Sequence, residues 1–260
     1  MSDFTRLAGV FRSLHVPGRP LVLYNVWDAG SARVVAAAGA AALATGSWSV
    51  AAAHGCEDGE RLPLELAMAN LRRIVGATGL PVSVDLESGY GAHPADVART
   101  VDIAIECGAI GCNLEDSLPH DGSLRDSNAQ VERLRAARAA AQARGLDFFI
   151  NARTDVFFQA PPERHDESLL EAAVERARAY AAAGADGLFV PGLADRRLIE
   201  QLVRVAPLPV NIMSGPKTPP LAELAALGVA RVSYGPGPWR VAMDALEQAA
   251  RAAFAQAPQQ

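Results

Sequence analysis

Eight short apolar or β-branched runs alternate along the chain with longer Ala-, Leu- and Arg-rich stretches of helical character. The runs lie at residues 20–26, 41–45, 81–86, 110–115, 147–152, 187–190, 209–213 and 230–234. Helical stretches lie at 31–38, 64–78, 94–107, 128–144, 167–183, 195–205 and 221–227, with a C-terminal helix at 241–255. In 128–144, Val131, Leu134, Ala137 and Ala141 fall on one face and the arginines mostly on another, as a helix covering a sheet requires. Gly39, Gly79, Gly108, Gly145, Gly184 and Gly228 each follow a helix and precede a strand, the place for a left-handed C-cap. Strands and helices in alternation imply parallel pairing through right-handed crossovers. Divided among eight units, 260 residues give about 32 each, the step of a (β/α)8 TIM barrel. The expected architecture is a single α/β domain over residues 1–260. An open doubly wound sheet is the alternative, but no Gly-x-Gly-x-x-Gly follows the first run; Asn25-Val26-Trp27-Asp28-Ala29-Gly30 stands there instead.

Composition narrows the function. Half of the residues are hydrophobic, 20% are charged and the net charge is −5, with no Lys/Arg cluster, so neither nucleic acid nor an anionic membrane is an expected partner. No apolar run is long enough to span a bilayer, and Met-Ser-Asp-Phe-Thr-Arg carries no secretory pattern; a cytoplasmic protein is expected. Cys56, Cys107 and Cys112 have neither metal-ligand spacing nor the pattern of a disulfide framework. Of the 24 basic residues only Lys217 is a lysine, which leaves one candidate for Schiff-base chemistry, in a Gly/Pro-rich loop that reads as exposed.

In a barrel, function gathers where the C-terminal strand ends converge. Those ends carry Asp85, Glu87 and Glu115, with Arg153 after the fifth strand, Asn211 on the seventh, and Ser47, Ser49, His54, Glu57 and Asp58 after the second. Asp85 and Glu87, two apart, are expected on one strand face with Glu115 beside them. Carboxylates so close repel unless a cation or a proton separates them. An oxygen-rich site without a Cys/His cluster suits Mg²⁺ or Mn²⁺. Arg153 offers a planar fork to a carboxylate or phosphate, or pairs with one of these acids.

The stretches Asn25 to Ala32, Asp85 to Gly91, Asn113-Leu114-Glu115-Asp116 and Asn151-Ala152-Arg153-Thr154-Asp155 together resemble the isocitrate lyase/phosphoenolpyruvate mutase superfamily, in order and over nearly the whole chain. Its members include methylisocitrate lyase, phosphonopyruvate hydrolase and oxaloacetate decarboxylase. The resemblance implies a metal site of Asp85, Glu87 and Glu115, with Asp85 contacting Mg²⁺ and Glu87, Asp58 and Glu115 binding its waters. It implies that Gly46, Ser47 and Trp48 give backbone N–H groups to a substrate carboxylate and enolate oxygen, and that Trp27, Arg153 and Asn211 contact substrate. Asp58, Glu115 and Arg153 are the implied catalytic residues, with His120 on the lid as a candidate proton donor. It further implies a homotetramer that exchanges its C-terminal helix between subunits.

Departures from the family shape the substrate. Residues 117–126 carry no counterpart of the cysteine found in the gating segment of the tricarboxylate lyases, nor the lysine of the mutases. The sixth strand ends Phe189-Val190-Pro191-Gly192 without those lyases' glutamate, which points to a smaller substrate. The leading expectation is Mg²⁺-dependent C–C cleavage of a small 2-oxo or 2-hydroxy carboxylate through an enolate-like state. Alternatives are P–C bond chemistry of the mutase or phosphonopyruvate hydrolase kind, a Schiff-base aldolase at Lys217, and a non-catalytic carboxylate- or phosphate-binding barrel.

Overall fold

The computed structural model describes residues 3–256. Eight parallel strands, β1 (Leu21–Leu23), β2 (Leu43–Ala44), β3 (Val82–Asp85), β4 (Gly111–Glu115), β5 (Phe149–Arg153), β6 (Gly187–Val190), β7 (Val210–Met213) and β8 (Arg231–Ser233), are ordered β1-β8-β7-β6-β5-β4-β3-β2. The seam between β1 and β2 is bridged by the parallel pair Val26 and Thr45, which brings the sheet nearly to a closed barrel. Asn25 reinforces this seam. Its Nδ2 donates to the Thr45 carbonyl at 2.9 Å and its Oδ1 accepts from the Tyr234 and Gly235 amides, tying β8, β1 and β2 together at the mouth.

The helices are α1 (Asp3–Ser13), α2 (Ala29–Ala37), α3 (Ser47–Ala53), α4 (Leu64–Ala77), α5 (Pro94–Glu106), α6 (Ser127–Ala143), α7 (Glu167–Ala182), α8 (Arg196–Val205), α9 (Leu221–Ala226) and α10 (Gly237–Ala255). Their apolar faces cover the outside of the sheet: Val97, Val101 and Ala104 of α5 and Leu134, Ala137 and Ala141 of α6 are fully buried. Asp28, Asp126, Asp166 and Asp195 cap the N-termini of α2, α6, α7 and α8 with their side chains. Among the described residues no helix is long and apolar enough to cross a membrane.

The structure adds one helix that the sequence reading did not place and corrects two expectations. Residues 3–13 form a helix whose Phe4, Leu7, Ala8 and Phe11 face the core, and Phe11 meets the Phe149 ring edge-on at 5.6 Å, covering the N-terminal end of the barrel. The segment after β2 is helix α3, not a loop. Gly79 is not a left-handed cap, because α4 already ends in an extended Thr78; the other five glycines take positive φ as expected.

Candidate active site

At the C-terminal mouth lies a cavity of 320 Å³ that Asp58, Asp85, Asn113, Arg153 and the Gly46-Ser47-Trp48 segment border. Asp85 ends β3. Its amide donates to Thr45 Oγ1 at 2.9 Å, and its Oδ2 accepts from the Ser47 amide in the first turn of α3 at 3.2 Å. Its other oxygen, Oδ1, is buried with no hydrogen-bond partner. Burial, and then the charge of Asp85, holds the Asp58 carboxyl above the usual aspartate range.

Glu87 does not share a strand face with Asp85. The strand stops at Asp85 and Glu87 takes a φ of 52°, so its side chain leaves the two-residue alternation. Glu87 Oε2 accepts from the Gly59 and Glu60 amides at 2.8 and 2.6 Å, and Oε1 accepts from the Tyr90 hydroxyl at 3.2 Å. The Gly-Tyr-Gly sequence that follows has a steric cause: Gly89 sits at φ 105°, and a Cβ on Gly91 would lie 2.3 Å from Asp96 Cβ. Arg133 of α6 holds this turn by donating to the Ala92 carbonyl at 2.9 Å and to the Ser88 carbonyl. Between Ser47, Asp85, Glu87 and Tyr90 is a void of 20 Å³, room for one water.

Glu115 and Asp116 diverge because neighbouring strand residues face opposite ways. Asp116 turns outward and accepts from Arg176 Nη1 at 3.0 Å and the Tyr180 hydroxyl at 2.7 Å. Glu115 turns inward to Arg153 Nη1 at 2.7 Å. Arg153 also donates through Nε and Nη2 to the two Asp155 oxygens at 2.6 and 2.8 Å, so both acids neutralise it at the cavity edge. Burial pushes the Glu115 carboxyl well above its usual range, against the pull of Arg153. The ion-pair reading of Arg153 therefore describes its state here.

Burial, and then the charge of Asp58, raises Glu87 to about 7. Its folded pKa lies above the unfolded value, so its contribution to stability is complete below about pH 4 and is lost as pH rises through 7, up to about 3 kcal/mol. In metal-free protein, thermal unfolding between pH 4.5 and 7.5 should show this decline, and Glu87→Gln should flatten it. An unchanged slope in that variant would assign the decline to another group.

The remaining sequence candidates are placed as follows. Gly46, Ser47 and Trp48 border the cavity; Trp27 does not, since it packs edge-on against Trp239 at 5.2 Å beside Val50 and Leu62. Asn211 lies below the cavity, its amide accepting from Asn151 and Ser233. The His120 side chain is 71% exposed, pairs with Asp121 in a turn and does not border the cavity. Lys217 is exposed and borders a separate basin with Asp195 and Arg196. Among the described residues no three His, Cys, Asp or Glu side chains converge as a metal cluster. Sequence reading missed Arg240, whose guanidinium lies 5.3 Å over the Trp48 ring at the cavity rim, and the apolar wall of Phe158, Phe189 and Met213. It placed Asn113 within a motif but gave it no role, and it missed the buried Arg231 beneath the floor; an arginine inside an apolar strand run was the available signal.

A family model described as phosphoenolpyruvate phosphomutase matches residues 11–254. Among solved structures, a candidate phosphonomutase from Burkholderia cenocepacia J2315 superposes with a TM-score of 0.94 at 60% identity, covering 96% of this chain and 99% of that one. The 2-methylisocitrate lyase of Escherichia coli (strain K12) is 31% identical, over 85% of this chain and 79% of its own. The oxaloacetate decarboxylase of Pseudomonas fluorescens (strain SBW25) is 29% identical, over 95% and 84%.

Proposed function

The chain belongs to the phosphoenolpyruvate phosphomutase family, within a superfamily of lyases and mutases, and on that premise we propose that it cleaves a C–C bond of a small 2-oxo or 2-hydroxy carboxylate with the help of Mg²⁺ or Mn²⁺. The observation that carries this reading is the cavity itself. Its 320 Å³ suits a small di-acid, and its lining combines the acids Asp58 and Asp85 with the guanidinium groups of Arg153 and Arg240.

The donor set fits a hard divalent cation that keeps most of its water. Asp85 Oδ1 is a buried acceptor without a partner, and the water-sized void beside it reaches Glu87. Asp85 is thus the direct ligand in this proposal, with Asp58, Glu87 and Glu115 acting through water. The bound ion would stabilise negative charge developing on the substrate's carbonyl or hydroxyl oxygen. The Trp48 amide, in the first turn of α3 where N–H groups lack helical partners, is proposed to orient the carboxylate, with the neighbouring Ser47 amide, which donates to Asp85 Oδ2, beside it at the cavity border. Arg240, which makes no ion pair among the described residues, is the cation free to take a second anionic group, whereas Arg153 is already shared by Glu115 and Asp155. Phe158 and Phe189, whose rings lie 5.4 and 5.8 Å from the Arg153 guanidinium, and Met213 give the cavity its apolar lining.

The test is turnover of a panel of 2-oxo and 2-hydroxy acids, oxaloacetate included, with Mg²⁺ and after EDTA. Metal-dependent release of pyruvate or another 2-oxo acid is expected, and no turnover of any C–C substrate would sink the reading. The 60% identity to a protein described as a candidate phosphonomutase favours P–C chemistry as a second reading, so phosphonopyruvate belongs in the panel.

A homo-oligomer is proposed, four subunits being what the family resemblance implies, and exposed apolar surface supports association. α10 presents Val241, Leu246 and Phe254, 62%, 62% and 77% exposed, and a groove of 550 Å³ runs along β1 and α2 past Val34. Light scattering at micromolar concentration should give four subunits; a monomer would remove this expectation.

A further inference from the structure

Below the cavity the barrel is filled with polar groups, where branched apolar side chains usually dominate. Asn113 of β4, Asn151 of β5, Asn211 of β7 and Arg231 of β8 are all buried, none more than 4% exposed. Space for them comes from small residues: a Cβ on Gly187 would lie 2.6 Å from Asn151 Oδ1. β4 and β8 stand opposite each other in the eight-strand ring, and Arg231 reaches across it. Its Nη2 donates to Asn113 Oδ1 at 3.1 Å. Asn151 Nδ2 donates to the same oxygen at 2.9 Å and to Asn211 Oδ1 at 3.1 Å, while Asn211 Nδ2 donates to the Ile212 and Arg231 carbonyls.

An amide can turn over and exchange donor for acceptor with almost no change of shape, so the Asn113–Asn151–Asn211 row takes its polarity from the groups at its ends: the Ile212 and Arg231 carbonyls that accept from Asn211 Nδ2, and the Arg231 guanidinium that donates to Asn113 Oδ1. A guanidinium has donors alone and cannot reverse. Asn113 must therefore turn its oxygen to Arg231, which leaves its nitrogen toward the cavity that Asn113 borders. Arg231 makes no ion pair among the described residues, and its Nε and Nη1 are buried without partners. A residue kept only for packing or charge pairing has no need of this arrangement.

We propose that Arg231 is a positioning residue that locks the Asn113 amide nitrogen toward the cavity, so that the floor donates a hydrogen bond to a carboxylate or enolate oxygen of the substrate. The inference rests on the reading of the cavity as a 2-oxo carboxylate site. It predicts discrimination: a ligand presenting an acceptor at the floor is taken, and one presenting a donor there is refused.

Oxalate, a planar dianion shaped like the enolate of pyruvate, is the probe, titrated with Mg²⁺ present. Asn113→Asp keeps an acceptor toward Arg231 but loses the donor to the cavity, and should weaken oxalate binding roughly ten- to a hundredfold. Arg231→Gln, which leaves Asn113 Oδ1 held by Asn151 alone and offers an amide that can itself reverse, should weaken it about tenfold, while the donor-only Arg231→Lys should stay within a few-fold of the parent protein. Independently of how the variants fold, the Asn113 side-chain NH₂ resonances, identified by their loss in Asn113→Asp, should shift when oxalate is added to the unaltered protein. Binding by the unaltered protein with no such shift, or with folded Asn113→Asp and Arg231→Gln at full affinity, overturns the inference alone. No oxalate binding by the unaltered protein overturns the reading of the site, and the inference with it.

Discussion

Asp85→Asn is expected to lower kcat/KM for the preferred 2-oxo acid by about a thousandfold, the loss of roughly 4 kcal/mol of transition-state stabilisation, and to abolish saturable Mn²⁺ binding. The fold should not suffer. An asparagine oxygen can still accept from the Ser47 amide, and the carboxylate oxygen it replaces has no partner to lose. Removing the charge relieves Asp58, which burial and then Asp85 hold above its ordinary range, but takes a favourable charge from buried Arg231 and Arg153, so metal-free Asp85→Asn should melt near the parent Tm. Asp116→Asn is the control with the opposite signature. Asp116 is fully buried against Arg176, Tyr180 and the Asp155 amide, so its substitution should cost stability while Mn²⁺ still binds. An Asp85→Asn protein that binds Mn²⁺ as before and turns over at the parent rate would falsify the metal assignment.

These opposite outcomes for two acids of similar appearance show where sequence reading reaches its end. The eight strands and most of the helices between them were legible because each rests on local rules: apolar runs, a 3.6-residue stripe and Gly stops. Gly187–Val190 of β6 lies where it was expected to the residue. α1 was also legible in the spacing of Phe4, Leu7, Ala8 and Phe11, and was overlooked because it precedes the first repeat. The direction of Glu87 was not legible. Two-residue spacing promises a shared face only while the strand continues, and here one left-handed residue after Asp85 redirects it onto the Gly59 and Glu60 amides. Nor could spacing reveal that Arg231 and Asn113, 118 positions apart, meet across the barrel, since that contact exists only after the sheet closes. Arg153 was found, but its two possible states could be told apart only with the Asp155 carboxylate in place.

Arg153→Met is expected to destabilise the protein by about 3–5 kcal/mol, because it strips the cation from two acids that stay buried. The side chains of Glu115 and Asp155 are 15% and 3% exposed, too little for water to replace the guanidinium. The loss should depend on pH with a definite sign. Without Arg153, nothing in the ion pair offsets the burial that pushes Glu115 up, so its folded pKa stands further above the unfolded one. The variant is then most stable below about pH 4 and loses stability as pH rises through the folded pKa, while the parent, with its ion pair intact, declines less. Urea unfolding at pH 5 and pH 8 reads this directly: the gap between the two proteins should widen at pH 8, and a gap independent of pH would contradict the burial of unpaired charge. Adding Glu115→Gln to Arg153→Met should return part of the stability, because the two residues share one interaction and their effects cannot add. Activity separates the roles. If Arg153 serves only to neutralise the acids, the double variant recovers turnover along with stability; if its guanidinium also meets the substrate at the cavity edge, the double variant folds and KM stays raised.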